Sequence, residues 1–122
     1  MYLASSIGEG IPVISETGEI IYPLIDAQLG SAKRSSSARV IIPSRCFSIA
    51  HYHRKAEEMY FMLRGEAEMT VNGRTFPLSK NQSLLVHPGD VHQIRNKRRQ
   101  DVEFLVVCTP LWTQEDYFPA DQ

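Results

Sequence analysis

The chain has no long apolar run: nothing in its 122 residues approaches the roughly 20 consecutive apolar residues that span a bilayer as a helix. The opening Met1–Ser6 lacks the basic start and apolar stretch of a secretory leader. A soluble, cytoplasmic protein is therefore the expectation. Charge of one sign is missing too, with 13 Lys and Arg against 14 Asp and Glu, so no long-range field draws the chain to nucleic acid or to a membrane surface. The one basic run, Lys97–Arg99 with its neighbours Asn96 and Gln100, has no aromatic interleaving and reads as a solvated hairpin loop. With two cysteines only, Cys46 and Cys108, each in an apolar strand-like run, a disulfide framework is excluded in favour of buried thiols, and neither is given a chemical role. Asn81-Gln82-Ser83 has the form of a glycosylation sequon but no secretory context.

Helical periodicity is the next absence. Every segment with order in it carries β-branched and aromatic residues in short runs, punctuated by Gly, Pro, Asn and Ser. The runs predict strands at Ile11–Ile14, Glu19–Ile25, Ala38–Ile42, Cys46–His51, Glu58–Leu63, Ala67–Val71, Arg74–Leu78, Ser83–His87, Val91–Ile94 and Val102–Cys108. So many short strands in one chain of single-domain length predict an all-β sandwich or barrel. Asn72-Gly73 tolerates the positive φ values of a two-residue hairpin, and Pro88-Gly89 suits a type II turn that leads to His92. Gly30–Ser37 is a Ser-rich loop between an N-terminal arm and the barrel, and the tail after Thr109, with Trp112, Tyr117 and Phe118, is expected to fold back and pack. The expected divisions are 1–36 for the arm, 37–110 for the barrel and 111–122 for the tail.

What is abundant is local. All four histidines, His51, His53, His87 and His92, fall in one short stretch of the chain. Strand side chains alternate, so His51 and His53 send both imidazoles to one face. Glu58 begins the next strand after a turn, where a chain reversal returns its carboxylate to the imidazoles, and His92 arrives from a distant strand. Three neutral imidazoles and one carboxylate form a mixed N/O set that suits one divalent transition ion, Mn, Fe, Co, Ni, Cu or Zn.

The spacing His51-x-His53, Glu58, Gly65 resembles the first cupin motif, and Gly89, His92, Asn96 resembles the second. The resemblance implies an antiparallel double-sheet jelly-roll β-barrel, a metal ion held by His51, His53, Glu58 and His92, and open coordination positions for a small ligand. It also implies a homodimer. Three positions depart from the pattern: Arg45 and Asn81 replace the glycines that open the two motifs, and His87 replaces a proline.

Around that centre the parity of a straight strand turns Arg45, Phe47 and Ile49 toward the ligands, and Tyr60 and Met62 share the side of Glu58. Tyr60 is thus a candidate proton donor or substrate anchor, Arg45 a candidate cation for a carboxylate or phosphate, Phe47 and Met62 candidate pocket walls, and His87 a candidate proton carrier. Each has a plainer reading: core aromatic, surface arginine, core packing, turn residue. Function is expected to be a metal-dependent enzyme of isomerase or lyase type acting on a small oxygen-rich molecule such as a sugar phosphate, keto acid or hydroxy acid. A non-catalytic ligand-sensing module and a metal-dependent dioxygenase are the alternatives.

Overall fold

The computed structural model describes residues 4–121; residues 1–3 and 122, at the ends of the expected arm and tail, lie outside the described residues. Among the described residues eleven strands follow in order: β1 (Val13–Ile14), β2 (Ile20–Ile25), β3 (Ser36–Ile42), β4 (His51–Tyr52), β5 (Glu57–Arg64), β6 (Glu66–Val71), β7 (Arg74–Ser79), β8 (Ser83–Val86), β9 (His92–Arg95), β10 (Val102–Thr109) and β11 (Phe118–Pro119), with a short 3-10 turn at Gln114–Asp116. They form two antiparallel sheets, one ordered β1-β2-β3-β10-β5-β8 and the other β11-β4-β9-β6-β7. This is the all-β double-sheet architecture expected from the sequence.

The sheets face each other across one core. Val40, Ile42, Tyr60, Met62, Met69, Ile94 and Phe104 are buried between them, and each large apolar side chain removed from water contributes about 1.5–3 kcal/mol. In β5, buried Glu58, Tyr60 and Met62 alternate with exposed Glu57, Met59 and Phe61, as a half-buried strand requires. Asn72 and Gly73 have φ of 49° and 80°, and the register pairs Val71 with Arg74, so the hairpin forms where it is expected. At Pro88-Gly89, Asp90 N–H donates to the His87 carbonyl and Gly89 has φ 87°, which is the type II turn. It carries the chain from one sheet to the other, because β8 and β9 belong to different sheets.

Several expectations need correction. Gly30–Ser37 is not all loop: Ser36 and Ser37 open β3, where Ser36 is buried and its hydroxyl accepts the Trp112 N–H. The basic run at 96–100 is no hairpin, since β9 and β10 lie in different sheets; Asn96 is buried there and donates to the carbonyls of Ile42 and Gln100. Cys46–His51 is not a continuous strand either: apart from an isolated bridge at Phe47, the ladder starts only at His51. In the tail, Phe118 and Pro119 add a strand beside β4 that propensity does not announce.

Candidate metal site

The broken strand before His51 decides which side chains reach the interior. Arg45 adopts φ 67°, the left-handed conformation the absent glycine would take, and is exposed with its N–H donating to the Asn96 carbonyl. Asn81, in the second motif, does the same at φ 71°. Beyond Arg45 the side-chain alternation does not carry through to His51. Phe47 turns outward, 37% exposed beneath the Arg95 guanidinium, while Ser48 is buried and its hydroxyl accepts the Ile94 N–H. Arg45 and Phe47 therefore do not face the site, contrary to the parity argument, because that argument needs an unbroken ladder.

His51 pairs directly with His92 across β4 and β9, His53 follows β4, and Glu58 projects inward from β5 in the opposite sheet. One donor atom from each of the four lies within 4.8 Å of the others. Donors about 2.1 Å from a common ion stand about 3–4.2 Å apart, so closure of a few tenths of an ångström completes the set.

The donor chemistry points the same way. Each histidine places Nδ1 against a backbone carbonyl: His51 on Ile49 at 2.7 Å, His53 on Asp116 at 2.7 Å and His92 on Asp90 at 2.9 Å. A carbonyl only accepts, so all three Nδ1 atoms carry the proton and all three Nε2 atoms are left as the ligating nitrogens. The buried Nε2 of His53 has no hydrogen-bond partner, and an unpaired buried polar atom is costly unless something satisfies it. His92 Nε2 lies 2.8 Å from Glu58 Oε1, a contact that needs a second proton on the ring or a cation between the two atoms. The residues fit a single ion.

Glu58 is held from both sides, by the Tyr60 hydroxyl donating to Oε1 at 3.2 Å and the Cys108 thiol donating to Oε2 at 3.3 Å. Burial works to raise the Glu58 carboxyl, but the hydrogen bond from His92 and the pull of the three histidines outweigh it and bring it to about 2. His51 is pushed down to about 4, first by burial and then by His92. Burial and the neighbouring Glu58 push the Tyr60 hydroxyl and the Cys108 thiol well above their usual values, so both keep their protons and donate them to Glu58. Tyr60, packed 5.2 Å from Phe104, thus has its proton engaged by Glu58, and Met62 is fully buried in the core. His87 is exposed, its backbone N–H bonded to the Asp90 carboxylate, and stands outside the cluster.

Three residues near the centre escaped the sequence reading. Glu19 lies just before β2, and its carboxyl is raised to about 7, chiefly by burial and then by Glu58, with His92 opposing. Its seat depends on Gly18, φ 95°, which bridges to Phe47 so tightly that a Cβ there would fall 2.3 Å from Cys46 Sγ. Tyr117 places its ring 4.9 Å from that of His51; burial and then Glu19 raise its hydroxyl. Asp116 is buried, and although burial tends to raise its carboxyl, three backbone N–H donors, from Lys55, Ala56 and Arg54, hold it below its usual range. None of the three belongs to a motif, and Glu19 and Asp116 are two acidic side chains among 14.

Residues 38–108 match the family model described as Cupin domain. The chain belongs to the cupin family. It is 28% identical over 105 residues to an uncharacterized protein of Methanocaldococcus jannaschii, covering 86% of this cupin and 84% of that protein. It is 34% identical over 74 residues to a mannose-1-phosphate guanylyltransferase of Klebsiella pneumoniae, covering 61% of the chain but only 16% of the enzyme. The polyketide cyclase RemF of Streptomyces resistomycificus superposes with a TM-score of 0.81 at 18% identity, over 100% of this chain and 87% of that one, a likeness of fold. In keeping with the family, this cupin has a cluster of three histidines and one glutamate compatible with a single metal ion, and among the described residues no helix is long and apolar enough to cross a membrane.

Proposed function

We propose that this cupin is a metal-dependent enzyme of isomerase or lyase type, acting on a small oxygen-rich molecule such as a sugar phosphate, a keto acid or a hydroxy acid. The observation that carries the reading is the convergence of three Nε2 atoms and the Glu58 carboxylate on one buried point. A divalent ion held there would polarise a carbonyl or stabilise an adjacent oxyanion. Glu19, within electrostatic reach of Glu58 and His92, adds a second carboxyl beside the centre as a group to carry a proton to or from a bound molecule. Mannose-1-phosphate and polyketides, the molecules in the names of the two enzymes above, are both rich in oxygen, which agrees with this class. Exposed Ile11, Val13 and Ile14 at one sheet edge, and Met59, Phe61 and Leu85 on the outer face, support a homodimer. Free thiols at Cys46 and Cys108 support a cytoplasmic location.

A second reading, a ligand-sensing module without turnover, draws on the placement of Tyr60 and His87, both removed from the role of proton carrier. Metal analysis of the purified protein, then a thermal-shift screen of sugar phosphates, keto acids and hydroxy acids with metal present, identifies the ligand class. Proton exchange and product formation on the hits are then followed by NMR. An enzyme turns over at least one hit, and Glu19→Gln slows it by about 10²–10⁴-fold with metal retained. Tight binding with no turnover of any hit establishes the sensing module instead.

A further inference from the structure

The C-terminal segment runs alongside β4 and the residues after it, which carry two of the four ligands, His51 and His53. From Trp112 to Ala120 it is tied down at successive points: Trp112 N–H to Ser36 Oγ, β11 paired with β4 through Phe118 to Tyr52 and Pro119 to His51, and Ala120 N–H to the Ala50 carbonyl. Phe118 stacks on Tyr52 with ring centroids 5.2 Å apart, and Arg54 lies 4.4 Å over the Phe118 ring. The segment itself lies beyond residue 108, where the family match ends.

Asp116 concentrates the attachment in one residue. Its carboxylate accepts three consecutive backbone N–H groups, Arg54 at 2.8 Å and Lys55 at 3.0 Å on Oδ1 and Ala56 at 3.0 Å on Oδ2. Its carbonyl accepts Nδ1–H of His53, 63 residues earlier, at 2.7 Å. The first set fixes the turn between His53 and Glu58; the second fixes the His53 tautomer and aims Nε2 at the centre. A turn anchor alone needs only the carboxylate. The carbonyl contact adds what a metal ligand needs, because a histidine bonded at Nδ1 to an acceptor is both oriented and made more basic.

We propose that Asp116 is a positioning residue for the metal centre, and that the C-terminal segment is a strap through which Asp116 holds His53 and the 54–56 turn in the geometry that binds the ion. This rests on the metal reading above. The strap sets affinity without ligating, and in a protein whose ligands otherwise come from the barrel it makes the tail part of the site.

The test uses the full-length chain. Affinity for Co(II) and Zn(II) is measured by chelator competition in wild type, Asp116→Ala, Asp116→Asn and the control Glu115→Ala, an exposed neighbour in the same 3-10 turn. Apo thermal stability, the visible spectrum of the Co(II) form and the ¹⁵N shifts of His53 are recorded alongside. Asp116→Ala is expected to weaken affinity by about 10–100-fold and to alter the Co(II) spectrum. Asp116→Asn, whose single amide oxygen still serves Arg54 and Lys55, falls between it and wild type, and Glu115→Ala matches wild type. Should Asp116→Ala not fold, Asp116→Asn carries the comparison by itself. Equal affinities and unchanged spectra, with only apo stability lowered, overturn the strap and leave Asp116 a turn anchor. Failure of the wild type itself to bind either ion overturns the metal reading, and the strap with it.

Discussion

His51 stands directly opposite His92 in the β4–β9 ladder, with ring centroids 4.3 Å apart, so two ligands distant in sequence are set side by side by strand register alone. A slip of one residue would turn one of them to the other face. The site is therefore as well defined as the ladder, and each ligand is open to separate challenge.

His53→Ala removes a buried Nε2 that has no hydrogen-bond partner in the protein. Metal content after reconstitution is expected to fall from about one ion per chain to near zero. The fold survives, since the His53 ring makes one hydrogen bond and the core lies elsewhere. Elemental analysis and circular dichroism check both halves of the expectation.

Glu19 makes a prediction in pH. Its folded value, about 7, lies above the unfolded value of 4.5, so the folded state holds the proton more tightly. The contribution to stability is complete below pH 4.5 and is lost as pH rises through about 7. For the metal-free protein the loss amounts to at most about 3 kcal/mol across that window. Urea midpoints recorded between pH 4 and 8 should rise with pH in Glu19→Gln relative to wild type, since the substitution removes the Glu19 loss and leaves the opposite contribution of His51, whose folded value of about 4 lies below the unfolded 6.5. Added metal should lower the Glu19 titration, visible by ¹³C NMR, because a nearby cation favours the carboxylate.

Two backbone positions predict opposite signs. Arg45 is exposed at φ 67°, so Arg45→Gly is expected to stabilise by about 0.5–1 kcal/mol. Gly65 has φ 83° and a Cβ there would lie 2.8 Å from the Asp101 carbonyl oxygen, so Gly65→Ala is expected to destabilise by about 1–3 kcal/mol. Chemical denaturation of the two variants reads both.

His87→Ala should change neither metal affinity nor turnover, and stability by no more than about 0.5 kcal/mol, because its exposed ring touches no ligand. A loss of turnover with metal retained would bring this histidine back into the chemistry.

The double-sheet fold could be read because strand patterning and turn chemistry are local: Asn72-Gly73 and the alternation in β5 need nothing beyond their own neighbours. The four clustered side chains could be read because their spacing repeats that of a known family. Arg45 and Phe47 were misplaced because parity is counted along a ladder, and a left-handed residue followed by an unpaired stretch resets the count. Tyr60 was placed on the right side of β5, but only coordinates show that its hydroxyl is already bonded to Glu58. Glu19 and Asp116 were invisible because nothing local marks them; one is brought close by a glycine that allows tight approach, the other by a tail returning across the barrel. Cys108, left without a role, meets Glu58 because β10 and β5 are paired in register.

The ligand atoms come from both halves of the sandwich, Glu58 from one sheet and His51 and His92 from the other. A bound ion would thus act as a rivet: the layers could not part without first surrendering it. Amide exchange in β5 and β9 should slow in concert on loading, and a chelator should loosen the whole clamshell instead of one rim.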